Sequence, residues 1–334
     1  MQTRALGQGG SQVGAIGIGA MSFTDFYGKT TDESSFAVLD AAMELGMSHI
    51  DTSNVYGMGR SETVIGAFLK ERGSQARDFF RIATKGAIRR REDGRGNYFD
   101  NSAAHLTQSL DESLQRLGVD CVDLYYVHRR EADRPIEEVT ETLAGFVKAG
   151  KTKSIGFSEI SPASLVRAAA VHPVAAVQSE YSLATRAPEL GLVQRCAELG
   201  TALVAFSPVG RSVLSDNPLS FEAAQALPFL TNNPRFMSPN FEANRAIADR
   251  FRALAAEMGV ATAALAMAWL LTRGDHVLPI PGTRSVQHLR ELAAGADITL
   301  TAEDLGRIES VLPVGWAHGD RYSAVQWVGP ERFS

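Results

Sequence analysis

An alternation of apolar and amphipathic segments runs along almost the entire chain and limits the folds that it can adopt. Eight short apolar segments occupy residues 15–21, 49–51, 80–85, 122–128, 152–158, 175–178, 202–206 and 277–280. Stretches with helical periodicity follow them, which predicts strands that are buried in a parallel sheet and covered by helices. Eight such units in 334 residues predict an α/β fold, a (β/α)8 TIM barrel. A doubly wound open sheet is the alternative architecture.

Two further features accompany this alternation. Residues 4–6 and 13–16 flank a Gly-rich turn and predict an N-terminal β-hairpin. Residues 209–242 follow the seventh strand and contain four prolines. This is too long for an ordinary connection, so we interpret it as a long loop that serves as a lid or clamp. Because no linker-like segment divides the sequence, we expect a single barrel domain over residues 1–334.

Two glycines near the N-terminus invite comparison with a dinucleotide-binding fingerprint. Gly17 and Gly19 lie within the first apolar segment, but Ser22 occupies the position of the third glycine. The following residues 24–29 read as a loop, whereas the fingerprint needs a helix there. The sequence therefore does not predict a Rossmann domain.

Composition and charge limit the kinds of molecule that the protein is expected to bind. The formal net charge of −5 disfavours a nucleic-acid partner or an acidic membrane surface, and favours a small molecule. The N-terminus lacks an apolar core of signal-peptide length, and no apolar stretch approaches the length of a membrane span, so we expect a cytoplasmic protein. Cys121 and Cys196 stand far apart and outside any Cys/His cluster. They are expected to be reduced thiols, and no metal site is predicted.

Four ionisable residues follow three neighbouring strands of the predicted barrel. Asp51 ends the second strand and Tyr56 follows it, Lys85 ends the third strand, and His128 ends the fourth. Taken singly, each has an ordinary structural explanation, such as a helix cap, a lysine reaching solvent or a hydrogen-bonded histidine. Their occurrence at one rim, where TIM barrels carry their active sites, favours a catalytic site.

The four residues are suited to proton transfer. A phenol titrates near pH 10, roughly three units above neutrality, and a neighbouring ammonium lowers that pKa by stabilising the phenolate. We expect Lys85 to do this for Tyr56, with Asp51 as the counter-charge that keeps the lysine protonated. His128 would hydrogen-bond a carbonyl oxygen. The pattern indicates hydride addition to a carbonyl carbon, with Tyr56 delivering the proton.

The motifs around these residues resemble a known family. Ile-Asp-Thr-Ser-Asn-Val-Tyr-Gly at residues 50–57, Ala-Thr-Lys-Gly at 83–86 and Tyr-Val-His-Arg at 126–129 are similar to the catalytic tetrad motifs of the aldo-keto reductases. The resemblance covers nearly the whole chain. It implies a TIM barrel that reduces aldehydes or ketones with a nicotinamide cofactor, usually NADPH, held extended across the C-terminal rim.

The resemblance also implies contacts with the nicotinamide. Ser158 and Gln178 match positions that hydrogen-bond the carboxamide, and Phe206 matches the aromatic ring that stacks on the nicotinamide. Without the surrounding motif, Phe206 would be interpreted equally well as a core aromatic. Glu159 departs from the family pattern, since many members have Asn beside the carboxamide.

Contacts with the phosphates and adenine are implied in the same way. They fall on Ser207, Val209, Arg211, Gly282, Thr283, Arg284, His288 and Glu291. Arg211 supplies charge suited to the pyrophosphate. His288 stands where some members use Arg for the 2′-phosphate, which leaves Thr283 and Arg284 to discriminate NADPH from NADH. Leu292 replaces an Asn that often contacts adenine.

The substrate contacts are predicted less sharply. We expect Phe23, Phe26 and Tyr27, the loop at residues 86–100, and Trp316 or Trp327 from the tail to form the pocket. Aromatic side chains favour an apolar or aromatic aldehyde, whereas the arginines at 89–91 would suit an acidic one or simply be solvated. Residues 129–131 would face substrate or solvent, and we favour solvent.

Two other functions are compatible with these residues. Some relatives of this barrel serve as channel-associated redox sensors, so a cofactor-binding regulatory module with little turnover is an alternative. A Schiff-base aldolase with Lys85 as the nucleophile is another. The counter-charge of Asp51 disfavours it, because it keeps the lysine protonated.

Overall fold

An antiparallel hairpin opens the chain. The computed structural model describes residues 1–91 and 96–334. Strand β1 (Thr3–Ala5) pairs with β2 (Gln12–Gly14), and Arg4 lies opposite Val13. The N-terminal hairpin is thus where the sequence predicts it.

Eight parallel strands form the central sheet. In chain order the remaining strands are β3 (Ile18–Gly19), β4 (His49–Asp51), β5 (Arg81–Gly86), β6 (Ile88–Arg90), β7 (Asn97–Phe99), β8 (Leu124–Val127), β9 (Ile155–Ser158), β10 (Ala176–Glu180), β11 (Ala202–Phe206) and β12 (Val277–Pro279). All except β6 and β7 pair in parallel, in the order β3-β4-β5-β8-β9-β10-β11-β12. Each neighbour in the sheet is the next parallel strand in sequence.

The two edge strands meet and close the ring. The amide of Gly17 donates to Pro279 O at 2.9 Å, and that of Gly19 donates to Pro281 O at 2.9 Å. A Cβ on Gly19 would lie 2.8 Å from Ile280 O, so the close approach of the last strand requires glycine there. The prediction of a (β/α)8 barrel is confirmed, and the two glycines serve its closure.

Helices cover the outside of the barrel. They are α1 (Asp32–Leu45), α2 (Arg60–Arg72), α3 (Ser74–Phe79), α4 (Ala103–Leu117), α5 (Ile136–Lys148), α6 (Pro162–Ala169), α7 (Leu192–Leu199), α8 (Phe221–Gln225), α9 (Pro228–Thr231), α10 (Asn240–Glu257), α11 (Thr262–Leu271), α12 (Val286–Ala294) and α13 (Ala302–Val311). The N-cap of α1 is Thr31, whose hydroxyl accepts from Ser34 N at 3.2 Å, and Asp32 is the first helical residue.

Two segments expected to be loops contain regular structure. Strands β6 and β7 form an antiparallel hairpin within residues 86–100, and residues 92–95 of that segment lie outside the described residues. The long connection after β11 contains α8, α9 and a 3₁₀ turn at Pro234–Phe236. Ala224, Leu230 and Phe236 bury one another there in a small apolar cluster. The connection is therefore a folded segment of the rim with its own small apolar core.

Two further expectations concern cysteines and membrane helices. Cys121 and Cys196 are both free thiols. Across residues 1–91 and 96–334, no single helix is long and apolar enough to cross a membrane. The pair α10 and α11 meets the criterion only when taken together across a bend of 89°.

Candidate active site

The C-terminal ends of neighbouring strands bring the four predicted catalytic residues together. Asp51 is the last residue of β4, Lys85 lies in β5, and His128 directly follows β8. Lys85 Nζ donates to an Asp51 carboxylate oxygen, to Thr52 O at 2.8 Å and to Tyr56 Oη at 3.2 Å. The lysine thus joins the acid to the phenol. This is the arrangement that the motif spacing predicts.

Burial makes the Lys85–Asp51 pair electrostatically strong. Lys85 is 0% and Asp51 2% exposed, so neither charge is solvated. Burial alone lowers the pKa of Lys85, but the Asp51 carboxylate and Tyr56 outweigh it and hold that pKa above its ordinary value. Lys85 therefore remains an ammonium at neutral pH.

The pKa of Tyr56 differs from the expectation. Burial raises it above the ordinary phenol value, and the Asp51 carboxylate raises it further. Lys85 lowers the pKa as expected, but not enough to overcome the loss of solvation. The expectation of a net lowering is therefore wrong for this structure. The phenol keeps its proton at neutral pH, which suits a general acid.

His128 stands beside the phenol as a neutral ring. Its ring centroid lies 5.7 Å from that of Tyr56, at an interplanar angle of 79°. Burial, with the positive charges of Lys85 and Arg129, holds the pKa of His128 well below its ordinary value. Ser53 Oγ lies 3.1 Å from His128 Nδ1 and fixes the ring. The motif at residues 50–57 includes Ser53, but sequence analysis gave it no role.

The two residues predicted at the nicotinamide carboxamide lie next to this group. Gln178 in β10 donates from Nε2 to Asp51 Oδ2 at 2.7 Å. Ser158, the last residue of β9, accepts through Oγ from Arg129 Nη1 at 3.0 Å. Both side chains are buried at the same end of the barrel as Asp51. The structure therefore places these residues together, with Gln178 orienting the carboxylate.

Left-handed backbone conformations mark the ends of three barrel strands. Ala87 follows β5 with a φ of 91°, Glu159 follows β9 with 59°, and Ser207 follows β11 with 50°. Such conformations cost side-chain-bearing residues about 1–2 kcal/mol each and cluster at functional sites. Phe206 immediately precedes Ser207 and keeps part of its ring exposed. The rim around Phe206 is thus shaped at some cost in stability.

Arg211, predicted at the pyrophosphate, is engaged within the protein. It is buried, and its Nη2 donates to Glu180 Oε2 at 2.6 Å. Its guanidinium also packs over the rings of Phe229 and Tyr322, 5.3 and 5.5 Å from their centroids. Its charge is compensated by Glu180, and it joins the long rim connection to the C-terminal tail. Val209, two residues earlier, is half-buried against the core.

The residues predicted at the adenosine phosphate lie after β12. Gly282, Arg284 and His288 are exposed, whereas Thr283 is buried. Arg284 donates to Lys29 O at 2.8 Å and has no carboxylate partner within the described residues. It precedes the N-terminus of α12, which Ser285 caps. An unpaired guanidinium beside a helix N-terminus fits a phosphate group. Glu291, farther along α12, accepts from Gln287 at 3.1 Å.

The predicted substrate residues are not all near the phenol. Phe23 is fully buried in the main hydrophobic core. Trp316 is buried and its indole donates to Leu183 O at 2.8 Å. Tyr27 is half-buried with its ring packed on Phe26 at 4.9 Å, and its pKa is raised by burial and, to a smaller degree, by Tyr56. Of the three, only Tyr27 is both partly accessible and close to the catalytic group.

Residues of the C-terminal tail lie over the ends of β8 and β9. Arg130 is buried and donates to Glu331 Oε1 at 2.8 Å. Glu159 is fully buried, accepts from Arg321 Nη1 at 2.9 Å and accepts through its carbonyl from Glu331 N at 2.8 Å. The preference for solvent at residues 129–131 is therefore wrong for Arg130. The charge of Glu159, where many family members have Asn, is matched by an arginine of the tail.

Comparisons with known proteins show the family of the chain. The sequence model described as "Aldo/keto reductase family" matches residues 15–313. Aldo-keto reductase yakc [NADP(+)] of Schizosaccharomyces pombe is 36% identical over 317 residues, covering 94% of this chain and 93% of that protein. Probable aldo-keto reductase 1 of Glycine max is 35% identical over 325 residues, 96% of this chain and 92% of that protein.

Solved structures show the same fold. Glycerol dehydrogenase AKR11B4 from Gluconobacter oxydans superimposes with a TM-score of 0.79 at 25% identity, over 90% of this chain and 92% of that one. The holo form of aldo-keto reductase AKR11C1 from Bacillus halodurans gives a TM-score of 0.76 at 24% identity, over 98% and 99%. With the family match over most of its length, this chain belongs to the aldo/keto reductase family.

Proposed function

We propose that the protein reduces aldehydes or ketones to alcohols with NADPH, with Tyr56 as the general acid. The observation that carries this proposal is the ammonium of Lys85, which is buried, paired with Asp51 and 3.2 Å from the phenol oxygen. A group of this kind supplies a proton to an oxygen that becomes negative during a reaction. A carbonyl oxygen that receives a hydride at its carbon is such an oxygen.

Each of the four residues has one task in this reaction. A bound nicotinamide cofactor would supply the hydride to the carbonyl carbon. Tyr56 gives its proton to the carbonyl oxygen, and Lys85 stabilises the phenolate that remains. Asp51 keeps Lys85 charged. The neutral ring of His128, held by Ser53, orients the carbonyl oxygen toward the phenol. General acid assistance of this type contributes about 10² to 10⁴ in rate.

The residues of the rim fit the proposed cofactor. Phe206 offers a partly exposed ring at the end of β11, with Ser158 and Gln178 on the two preceding strands. Arg284 and His288 offer exposed basic groups at the start of α12 for a 2′-phosphate. The name of the fission-yeast relative includes NADP(+), which supports the same cofactor here. We propose that Arg284 makes the larger contribution, because the planar fork of a guanidinium matches the geometry of a phosphate.

Oxidation of NADPH, followed by absorbance over a panel of aldehydes and ketones and repeated with NADH, tests the proposal. We expect turnover of several carbonyl compounds and a preference for NADPH. Arg284→Met should weaken binding of NADPH more than that of NADH, because only NADPH carries the 2′-phosphate. Tight NADPH binding without turnover across the panel would contradict reduction and favour the regulatory alternative.

A separate trapping experiment tests the aldolase alternative. An amine nucleophile has to be neutral, whereas Asp51 and Tyr56 raise the pKa of Lys85. Borohydride treatment with an aldehyde and no cofactor should therefore leave Lys85 unmodified. Trapping of substrate on Lys85 would contradict the role given to it here.

A further inference from the structure

Arg129 lies between the catalytic histidine and the end of the next strand. Its Nη1 donates to His128 O at 2.7 Å and to Ser158 Oγ at 3.0 Å. These two bonds use one nitrogen of the guanidinium and fix its position at the rim. The other two nitrogens, Nε and Nη2, have no acceptor in the described part of the chain. Arg129 is half-buried, so these donors are partly removed from water.

Arg129 differs from other arginines at this rim because no carboxylate of the described residues neutralises its charge. Three of them are bound directly by carboxylates: Arg130 by Glu331 at 2.8 Å, Arg211 by Glu180 at 2.6 Å and Arg321 by Glu159 at 2.9 Å. Within residues 1–91 and 96–334, Arg129 forms no ion pair. The rim therefore contains a cation that is held in place but not neutralised.

The guanidinium is bonded directly to one of the four predicted catalytic residues, since its Nη1 donates to the backbone oxygen of His128. Its positive charge adds to the lowering of the pKa of His128 and opposes in small part the rise in the pKa of Tyr56. The same charge lowers the pKa of Glu159. Glu159 is already bound by Arg321 through two nitrogens, so it is not available as a partner for Arg129. An anion bound next to His128 and Ser158 would thus meet a guanidinium that forms no ion pair within the described residues.

We propose that Arg129 is a specificity-determining residue that binds a carboxylate of the substrate. The preferred substrates would then be aldehydes or ketones that also carry a carboxylate, several bonds away from the reacting carbonyl. The planar edge formed by Nε and Nη2 matches the two oxygens of a carboxylate. This inference rests on the proposed function, since it assigns a substrate class to the same site.

The hairpin of β6 and β7 contains the other arginine considered as a binding partner for a substrate carboxylate. Arg89 in this hairpin is already paired with Asp100 at 3.2 Å and packs over the ring of Tyr98, 5.4 Å from its centroid. It is also largely exposed, and exposed ion pairs contribute little. Arg89 is therefore the matched comparison for Arg129.

The test compares acids with their methyl esters as substrates. The pairs are 3-formylbenzoate, 4-formylbenzoate and 4-oxobutanoate, each with its methyl ester, and NADPH is saturating. We expect the wild-type protein to favour at least one acid over its ester in kcat/KM by about tenfold to hundredfold, the size expected for hydrogen bonds to a charged group. Arg129→Met should bring that ratio close to one, Arg129→Lys should retain part of it, and Arg89→Met should keep it.

Because acid and ester are compared in the same variant, general damage to the site lowers kcat/KM for both and leaves their ratio unchanged. Each result therefore has one interpretation. Equal treatment of all three acids and their esters by an active wild-type protein would overturn the inference and leave the proposed function intact. Loss of the acid-to-ester preference in Arg89→Met but not in Arg129→Met would also overturn the inference. A higher KM for NADPH in Arg129→Met with an unchanged acid-to-ester ratio would overturn it as well. Failure of the wild-type protein to reduce any carbonyl compound would contradict the proposed function itself.

Discussion

At the scale of single residues, the buried pair of Lys85 and Asp51 dominates the site. Asp51 accepts from both Lys85 and Gln178, so its two oxygens are satisfied by different donors. Taking two charges out of water costs several kcal/mol per ion, of which the pair recovers a part through mutual attraction. Such a pair is poor evidence for stability but good evidence for function. We interpret it as a device for keeping an ammonium beside Tyr56.

Removing one charge of this pair should destabilise the protein strongly. Lys85→Met leaves the Asp51 carboxylate buried without its counter-charge, and we expect a loss of about 3–5 kcal/mol in the free energy of unfolding. Asp51→Asn with Lys85→Met should cost less than the sum of the single changes. Urea denaturation at pH 7 measures all three. Additive losses would show that the two residues do not depend on each other.

The neutral state of His128 predicts a dependence of stability on pH. Because the folded-state pKa is well below the ordinary value, the unfolded chain takes up a proton near pH 6.5 that the folded chain does not. The stability linked to a neutral His128 is therefore fully present above about pH 6.5, and it is lost as the pH falls from there toward the folded-state pKa of this residue.

Urea denaturation of the wild type and His128→Gln at several pH values tests this. The wild type should lose more stability than the variant between about pH 6.5 and 5. His49 is also buried with a lowered pKa, but both proteins retain it, so their difference isolates His128. Parallel pH profiles would contradict a neutral, desolvated His128.

The sequence predicted that the four proposed catalytic residues lie together, but not the balance of their charges. Asp51, Lys85 and His128 lie at the ends of strands and Tyr56 in the turn after β4, and these positions were readable from the apolar segments. The net change in the pKa of Tyr56 was not readable from the sequence, because the loss of solvation depends on the atoms packed around the phenol. No single-sequence pattern reports those atoms.

At the scale of elements, the closure of the barrel depends on the glycines before and within β3. Gly19→Ala would put a methyl group 2.8 Å from Ile280 O, which is backbone and has little freedom to move. We expect a loss of about 1–3 kcal/mol in the free energy of unfolding. Chemical denaturation of the variant and the wild type provides the measurement.

Gly145→Ala is the matched control for this change. Gly145 lies on the exposed face of α5, and a Cβ there would meet nothing within 4 Å. Because alanine favours a helix over glycine, this variant should gain roughly 0.5–1 kcal/mol. Similar stabilities for the two variants would contradict the role given to the seam between β3 and β12.

Elements were predictable where they were long or strongly patterned. The apolar face of α4, with Leu106, Leu110, Leu114 and Leu117, is buried as its periodicity predicts. The three-residue strands β6 and β7 were missed, because a short polar hairpin has no periodicity distinguishable from that of a loop. Short helices between prolines, such as α9, escaped prediction for the same reason.

At the scale of the whole molecule, ion pairs between distant parts of the sequence hold the tail on the barrel. Arg321 binds Glu159 across 162 positions, and Arg130 binds Glu331 across 201. Single-sequence reasoning offers no signal for pairs at such separations, since neither partner stands in a recognisable local motif. The preference for solvent at Arg130 failed for this reason.

We propose that residues 1–334 unfold as one unit. The bonds from Gly17 and Gly19 to the last strand mean that no strand can leave without opening the ring, and the tail is bound to the ends of β8 and β9. Urea transitions followed by tryptophan fluorescence and by far-ultraviolet circular dichroism should therefore have the same midpoint. Separate midpoints would show that the chain contains more than one cooperative unit.

The central claim is that Tyr56, held by Lys85, protonates the carbonyl oxygen. Tyr56→Phe removes only the hydroxyl, and single-turnover reduction of an aldehyde by NADPH measures the affected step. Tyr181→Phe is the control, because the hydroxyl of Tyr181 donates to Glu189 instead of contacting Lys85.

We predict that the single-turnover rate of Tyr56→Phe falls by about 10² to 10⁴, that NADPH binding is retained, and that Tyr181→Phe reduces the aldehyde at close to the wild-type rate. A Tyr56→Phe rate within a few-fold of the wild type would contradict the account.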